Sequence, residues 1–181
     1  MTEARTSALI IALAMAMTAP LDVCAGEGQG PDDAVFTQRL TNPYGAPIPL
    51  EVARRVTAAA IAEAKKNSWI ITVAVVDPGG VLVYFERMDG AQTASSDLAI
   101  EKARAAAAFK RSTKLLEDRI VAGRMQYLRL SGALPIEGGL PLIVDGRIVG
   151  AVAVSGARSE QDGVCARAAV KALPNAAEQT R

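Results

Sequence analysis

Three short segments carry side chains that could recognise or act on a small molecule. In the first, residues 85–90, Arg87 and Asp89 follow an apolar stretch and therefore stand at the predicted end of a strand. Residues in such positions often recognise ligands, because a rigid element holds the loop that carries them. Arg87 and Asp89 are therefore candidate ligand-binding residues, although an ion pair that closes a surface turn would account for them equally well.

The second segment is centred on Lys102. On a helical wheel Lys102 shares a stripe with Leu98, Ala105 and Phe109, so its ammonium group emerges from an apolar face. A lysine in this setting either extends its ammonium group to water or points it into a cleft toward an anion. Lys102 is therefore a candidate anion anchor or general base.

The third segment, residues 135–141, contains Glu137, Gly138 and Gly139. Paired glycines before a strand allow backbone N–H groups to converge on an anion or a carbonyl, and Glu137 adds a carboxylate. The segment is not a Walker A loop, since no Gly-Lys-Ser/Thr follows. A turn that only leads into the strand is the alternative interpretation.

The composition excludes several kinds of site. The chain has no histidine, which rules out Ser-His-Asp and Cys-His catalysis, histidine-ligated zinc and histidine-ligated haem. Proton transfer would have to use Asp, Glu, Lys, Tyr or Cys, and we predict no metal site. The 20 basic and 19 acidic residues give a formal charge of +1, so we also predict no nucleic-acid partner.

The first 25 residues are typical of a secretory signal peptide. Arg5 precedes an apolar run over residues 7–19 that is too short to anchor the chain in a bilayer, and Val23-Cys24-Ala25 offers a cleavage site. We therefore expect a periplasmic or secreted protein with no membrane span after cleavage. A lipidated Cys24 and a buried N-terminal helix are the two alternatives.

The remainder of the chain is interpreted as a single domain. Residues 26–46 are polar and rich in glycine and proline, which is typical of a flexible N-terminal arm. The domain itself is expected over residues 47–174, followed by a tail over residues 175–181. Loss of Cys24 would leave Cys165 as a single cysteine, which we interpret as a small core side chain.

Hydrophobic patterns and turn residues predict an α+β fold. The tight turns Asp77-Pro78-Gly79-Gly80 and Asp145-Gly146 each join two strands, which makes those strands antiparallel. Ser95 and Ser96 are candidate N-caps of a long helix, and a capping pattern starts at Ser159. The segment at 127–134 is ambiguous. The expected elements are helices over residues 50–67, 97–111, 113–124 and 159–173, and strands over residues 69–76, 81–85, 140–144 and 147–155.

Motifs in a fixed order resemble those of the HbpS/GlcG family of haem-degrading domains over residues 49–173. They lie in the stretches VAVVDPGGVLVYFERMDGA, KARAAAAF and PIEGGLPLIVDGRIVGAVAVSGARSEQDG. The resemblance implies a profilin-like fold, a central antiparallel sheet flanked by helices. It also implies homo-oligomers from dimers to octamers, with haem or a corrinoid as the possible cofactor.

Carried over by position, the resemblance implies a ligand site lined by Arg87, Asp89, Lys102, Phe109, Thr113, Glu137, Gly138 and Gly139. Since histidine is absent, haem iron would need Tyr, Met, Lys, Cys or a hydroxyl such as that of Thr113. The leading hypothesis is an exported protein that binds haem, a related tetrapyrrole or a small organic acid. The alternatives are an enzyme that uses Lys102 and Glu137 as acid–base groups, and an accessory subunit of a periplasmic oxidation pathway.

Overall fold

The computed structural model describes residues 41–175, so the predicted signal peptide, most of the predicted arm and most of the tail lie outside the described residues. The elements in the described range follow the predicted order. They are α1 (Leu50–Lys66), β1 (Thr72–Val76), β2 (Leu82–Arg87), α2 (Ala94–Ala108), α3 (Thr113–Val121), a 3₁₀ helix (Met125–Arg129), β3 (Gly139–Val144), β4 (Arg147–Ser155) and α4 (Ser159–Lys171).

The four strands form one antiparallel sheet in the order β2-β1-β4-β3. Strand β1 lies in the interior of the sheet with all five residues buried, as its continuous apolar sequence predicts. Both predicted hairpins are present. In the second, Asp145 and Gly146 have φ angles of 47° and 73°, the positive values that a type I′ turn requires. The predicted α+β class, with an antiparallel sheet flanked by helices, is confirmed.

Helices cover both faces of the sheet. On one face α1 and α4 pack side by side over the valines of β1 and β4. On the other face α2 packs on a layer of alanines, in which Ala74, Ala151 and Ala153 of the sheet meet Ala99, Ala103 and Ala106 of the helix. Small side chains on both sides let α2 lie close to the sheet. This close approach places Lys102, on α2, beside β3 and β4.

The predicted N-caps of α2 are wrong. Helix α2 begins at Ala94 with Thr93 before it, so Ser95 and Ser96 lie inside the helix. The reason is tertiary, because the Ser95 hydroxyl lies 2.7 Å from the Thr72 hydroxyl on β1 and donates to the Gln92 carbonyl at 2.6 Å. The predicted start of α4 at Ser159 is confirmed, and a capping box is present there, in which the Arg158 amide donates to the Gln161 side chain at 3.1 Å.

The end of the predicted arm is docked on the domain. The Gly45 amide donates to the Ile148 carbonyl at 2.8 Å, beside β4 and beyond the end of β1. The Tyr44 hydroxyl donates to the Ala107 carbonyl at 3.1 Å, and the Lys110 ammonium lies 4.3 Å from the Tyr44 ring centroid. These contacts tie residues 44 and 45 to β4 and to the end of α2.

Candidate functional site

A buried ion pair lies at the centre of the predicted site. The Lys102 ammonium donates to the Asp162 carboxylate at 2.9 Å and to the Val154 carbonyl at 3.1 Å. Lys102 is 1% exposed and Asp162 is 2% exposed. Lys102 therefore does not extend to water, and the anion that it meets is a carboxylate of its own chain, on α4.

Burial raises the pKa of Asp162, because the carboxylate has lost its hydration. The Lys102 ammonium and the Ala157 amide, which donates to Asp162 at 3.1 Å, oppose this shift, and the nearby Glu137 carboxylate adds to it. Two opposite charges held in this way join α2, β4 and α4. Both charged groups are hydrogen-bonded within the chain.

The two glycines of the predicted anion turn pack against this ion pair. Gly138 has a φ of 132°, and a Cβ there would lie 2.6 Å from the Val154 carbonyl and 2.9 Å from the Lys102 ammonium. The Gly139 amide donates to the buried Thr113 hydroxyl at 2.9 Å. The glycines therefore allow a close approach of backbone to Lys102, and the Gly139 N–H group that was expected to bind a ligand is directed at Thr113.

The Glu137 carboxylate lies against α4 instead of facing an open cleft. It accepts from the Arg167 guanidinium at 2.8 Å, while the Glu137 amide donates to the Glu117 carboxylate at 3.0 Å. A Cβ at Gly163 would stand 1.9 Å from a Glu137 oxygen, so this glycine provides the space for the carboxylate.

Arg87 and Asp89 lie at the same end of the sheet but on a different strand. In the backbone pairing of the sheet, Arg87 of β2 lies opposite Thr72 of β1, and Thr72 lies opposite Ser155 of β4. Arg87 is therefore two strand spacings, or about 10 Å, away from β4. The Arg87 guanidinium donates to the Ala91 carbonyl at 3.1 Å and closes the loop after β2. Asp89 is exposed on that loop.

The structure therefore places the predicted ligand-site residues in separate parts of the domain. It brings together Lys102, Thr113, Glu137, Gly138 and Gly139, and it places Arg87 and Asp89 on the β2 loop. Phe109 is half-buried at the C-terminal end of α2, where its carbonyl accepts from Arg111 at 2.8 Å. Sequence reasoning missed Asp162 and Arg167. Asp162 was interpreted only as part of a helix-capping pattern, although an acid in the first turn of a helix was the available signal.

A second surface, also missed, surrounds Tyr127. The chain reverses at Gly123, which has a φ of 86°, and the 3₁₀ helix folds back against α3. This reversal leaves four large apolar side chains outside: Val121 is 81% exposed, Met125 56%, Leu128 57% and Leu130 43%. We call the exposed surface formed by Val121, Arg124, Met125, Tyr127, Leu128 and Leu130 the Tyr127 surface.

The Tyr127 surface is also cationic. Between residues 119 and 136 the sequence has three arginines and no aspartate or glutamate. The Arg124 guanidinium lies 5.7 Å from the Tyr127 ring centroid. Tyr127 and Arg119 both lie close enough to Arg111 to affect its pKa, which Tyr127 raises and Arg119 lowers. Exposed apolar side chains and arginines thus occur together here.

Residues 48–171 match the family described as haem degrading protein HbpS-like. The chain belongs to the HbpS-like family. Protein GlcG of Escherichia coli is 40% identical over 105 residues, which are 58% of this chain and 78% of GlcG. The corrinoid adenosyltransferase PduO of Salmonella typhimurium is 33% identical over 123 residues, which are 66% of this chain and 37% of PduO.

Two crystal structures extend the family relationship to the fold. HbpS is 30% identical with a TM-score of 0.67, covering 72% of this chain and 93% of HbpS. The complex of PduOC with haem is 29% identical with a TM-score of 0.64, covering 70% of this chain and 95% of PduOC. The predicted family and its fold are confirmed, and among these HbpS-like relatives PduOC has been crystallised with haem.

The interior site of this HbpS-like chain does not fit a haem. A side chain as small as a methyl group at Gly138 or Gly139 would stand 2.6 Å from backbone atoms, which leaves no gap for a porphyrin ring. The Lys102 ammonium is bound to Asp162, and the Thr113 hydroxyl, 0% exposed, accepts from Gly139. Burial raises the pKa of the Cys165 thiol to about 11, so a thiolate ligand is disfavoured.

The donor groups at the Tyr127 surface do fit a haem. Tyr127 supplies a phenol oxygen and Met125 a thioether, both side chains that bind haem iron in proteins. The exposed apolar side chains can cover a porphyrin face, and the arginines can pair with propionates.

Within residues 41–175 no group of three or more Cys, Asp or Glu is arranged to hold a bare metal ion. Within the same residues, no helix is long and apolar enough to cross a membrane.

Proposed function

We propose that this chain is an exported protein that binds haem or a related tetrapyrrole on the Tyr127 surface. The observation that carries the proposal is that the exposed side chains of Val121, Met125 and Leu128 are interspersed along the chain with Arg119, Arg124 and Arg129. Haem is a flat apolar ring with two carboxylates, so it needs an apolar contact flanked by cations. The haem complex of the relative PduOC supports the same class of ligand.

The arginines and the apolar side chains have different parts in binding. A charge-assisted hydrogen bond from a guanidinium to a propionate contributes about 1.5–3 kcal/mol. Burial of apolar surface adds about 25 cal/mol for each Å² removed from water. Two such hydrogen bonds and about 300 Å² of apolar contact give about 10–14 kcal/mol before the free energy lost on association is subtracted. That loss is about 4 kcal/mol or more, so about 6–10 kcal/mol remains, which brackets the roughly 8 kcal/mol of a micromolar dissociation constant.

The enzyme hypothesis requires Lys102 and Glu137 to be released from their ion pairs. Lys102 and Glu137 could exchange protons with a substrate only if Lys102 left Asp162 and Glu137 left Arg167, since both groups are ion-paired at 2.8–2.9 Å. Acid–base catalysis by Lys102 and Glu137 therefore stays a prediction that requires these pairs to open. The geometry favours binding at the Tyr127 surface.

Export and assembly are further parts of the proposal. Cleavage after Ala25 would produce a mature chain that begins at Gly26 and carries Cys165 without Cys24. An exposed apolar surface of this kind is also common in chains that associate, which supports a homo-oligomer. Native mass spectrometry of the protein purified from its own cells measures both the mature mass and the number of copies in the assembly.

A haemin titration tests the proposed binding. The native chain should shift the haemin absorption maximum and saturate at one haem per chain. Arg124→Glu should weaken binding at least tenfold, because it reverses a charge beside the porphyrin. Arg54→Glu is the matched control, since Arg54 is also exposed and lies 5.9 Å from a tyrosine ring centroid, that of Tyr84, on another part of the domain.

Two results would contradict the proposed binding. The first is a native chain that leaves the haemin spectrum unchanged at stoichiometric concentration. The second is an equal loss of affinity in Arg124→Glu and Arg54→Glu, which would mean that net charge and not the Tyr127 surface controls binding.

A further inference from the structure

We infer that β2 is an interface strand, through which two copies of this chain join their sheets edge to edge about a two-fold axis at Phe85. Among the described strands, the order β2-β1-β4-β3 leaves β2 and β3 with one unpaired edge each. An edge strand exposes backbone N–H and C=O groups that can pair with a strand of another chain. The inference rests on the assembly part of the proposed function and is independent of haem binding.

The outer edge of β3 is blocked. The Val154 amide donates to the Gly138 carbonyl at 3.0 Å, so the backbone groups of Gly138 face β4, and those of Gly139 and Pro141 face outward. The Gly139 amide is already bonded to the Thr113 hydroxyl at 2.9 Å. Pro141 has no N–H group, and proline within a sheet is confined to such edges. Neither of these two positions therefore has an amide that could pair with another chain.

The outer edge of β2 is open. The Met88 amide donates to the Ile71 carbonyl at 3.0 Å, so the backbone groups of Met88 face β1. Because this direction alternates along an antiparallel strand, Phe85 and Arg87 direct their N–H and C=O groups away from β1. Within residues 41–175 no backbone group bonds to these outward groups, and none of the six residues of β2 is buried. The two edges of the sheet therefore differ in their capacity to pair.

The apolar side chains around β2 are arranged for self-association. Val81 and Leu82, 63% and 39% exposed, lie where β2 begins. Ile70, 47% exposed, lies beside the loop after β2, since its Cδ1 atom would stand 3.6 Å from a Cβ at Gly90. Antiparallel pairing of two β2 strands brings the start of each strand to the end of the other. Leu82 of one copy then approaches the Gly90 loop of the second copy, and the apolar surface removed from water stabilises the pair.

Charge complementarity favours a register with Phe85 on the axis. In this register Tyr84 stands opposite Glu86 of the second copy. Arg54 lies 5.9 Å from the Tyr84 ring centroid, so the carboxylate of the second copy also gains a positive charge nearby. An axis at Glu86 would instead place two carboxylates opposite each other, which is destabilising. This match between the two copies identifies a second copy of the chain as the occupant of the edge.

Disulfide cross-linking in a Cys24→Ser background tests the interface, because the remaining Cys165 is buried. Phe85→Cys places the two new thiols in a hydrogen-bonded antiparallel pair, whose Cα atoms lie about 5.5 Å apart and within disulfide range. It should form at least about fivefold more covalent dimer than Tyr84→Cys or Glu86→Cys, because like residues at those positions lie diagonally and beyond that range.

Two further measurements complete the test. Lys171→Cys, at an exposed residue at the end of α4, measures cross-linking by random collision. Native mass spectrometry should find an even number of copies of the native chain. Phe85→Pro removes the outward amide, as Pro141 does in β3, and should lower that number while the circular dichroism spectrum stays that of an α+β fold.

The outcomes separate this inference from the proposed function. If Phe85→Cys cross-links no more than Lys171→Cys in a chain that is still an oligomer, the β2 interface is wrong and the proposed assembly stands. A monomeric native chain would overturn both, and would leave the β2 edge to an extended segment of another protein. A maximum at Tyr84→Cys or Glu86→Cys would overturn the axis at Phe85. Haem binding is decided separately, by the haemin titration.

Discussion

Replacing Lys102 by methionine should destabilise the domain strongly. The substitution keeps the length of the apolar stem but removes the ammonium that pairs with Asp162 at 2.9 Å, and both side chains are at most 3% exposed. Removing one partner of a buried ion pair leaves an uncompensated charge and costs about 3–5 kcal/mol. Domains have a free energy of unfolding of about 5–15 kcal/mol, so this loss is a large fraction of the total.

The destabilisation in Lys102→Met should depend on pH. Burial already raises the pKa of Asp162 in the native chain, and loss of the Lys102 charge raises it further. A carboxyl group with a raised pKa in the folded state destabilises the fold as pH increases through that pKa, since the unfolded chain ionises first. The cost should therefore be largest near neutral pH and decrease by up to about 1.4 kcal/mol for each pH unit toward 4.

Urea unfolding measures this effect through the fluorescence of Trp69, the single tryptophan, which packs partly buried against the core. Lys114→Met is the matched control. It removes an exposed lysine paired with Asp118, with side chains 44% and 51% exposed, and should cost less than about 1 kcal/mol. Lys102→Met combined with Asp162→Leu should recover much of the lost stability.

The reasoning about the ion pair would be refuted by two results. One is a Lys102→Met variant that is no less stable than Lys114→Met. The other is a destabilisation that does not change between pH 5 and pH 7.5, because protonation of the buried Asp162 carboxylate at lower pH should remove its unpaired charge and so reduce the loss of stability.

Three further predictions concern the core. Gly150→Ala should lower the free energy of unfolding by about 1–3 kcal/mol in urea titrations, because its Cβ would stand 2.3 Å from the Val76 carbonyl. Thr57→Val should raise the melting temperature by an amount corresponding to about 1 kcal/mol, since the buried Thr57 hydroxyl has no hydrogen-bond partner among the described residues; an unchanged or lower value would contradict this. In a Cys24→Ser chain, Cys165 should react with iodoacetamide at pH 8 only after unfolding, because burial raises its pKa to about 11, and rapid alkylation of the folded chain would disprove this burial.

The fold was predictable because it depends on local signals. The apolar run that became β1 and the glycine-containing turns at 77–80 and 145–146 are contained in a few consecutive residues, and the structure follows them. Ser95 does not cap α2, as the residues around it predict, because its hydroxyl contacts Thr72, which lies 23 residues away on a strand. Element boundaries were therefore wrong where a tertiary contact competes with a helix cap.

The site was less predictable because its chemistry depends on pairs distant in sequence. The apolar stripe around Lys102 indicated burial, but its partner Asp162 is 60 residues away, and nothing in the sequence joins the two. Similarly, Arg111 and Tyr127 meet only because the chain reverses at Gly123. An irregular 3₁₀ segment has no hydrophobic period, so residues 127–134 gave no interpretable pattern.

Hydrogen–deuterium exchange with and without haemin tests most directly where this chain binds its ligand. The account predicts slower exchange on haemin addition in peptides that cover residues 119–130, which carry the Tyr127 surface. Peptides that cover residues 137–139 and 158–167, around the ion pairs of Lys102 and Glu137, should not change. Protection confined to these latter peptides, with residues 119–130 unaffected, would contradict the account and return the ligand to the interior site.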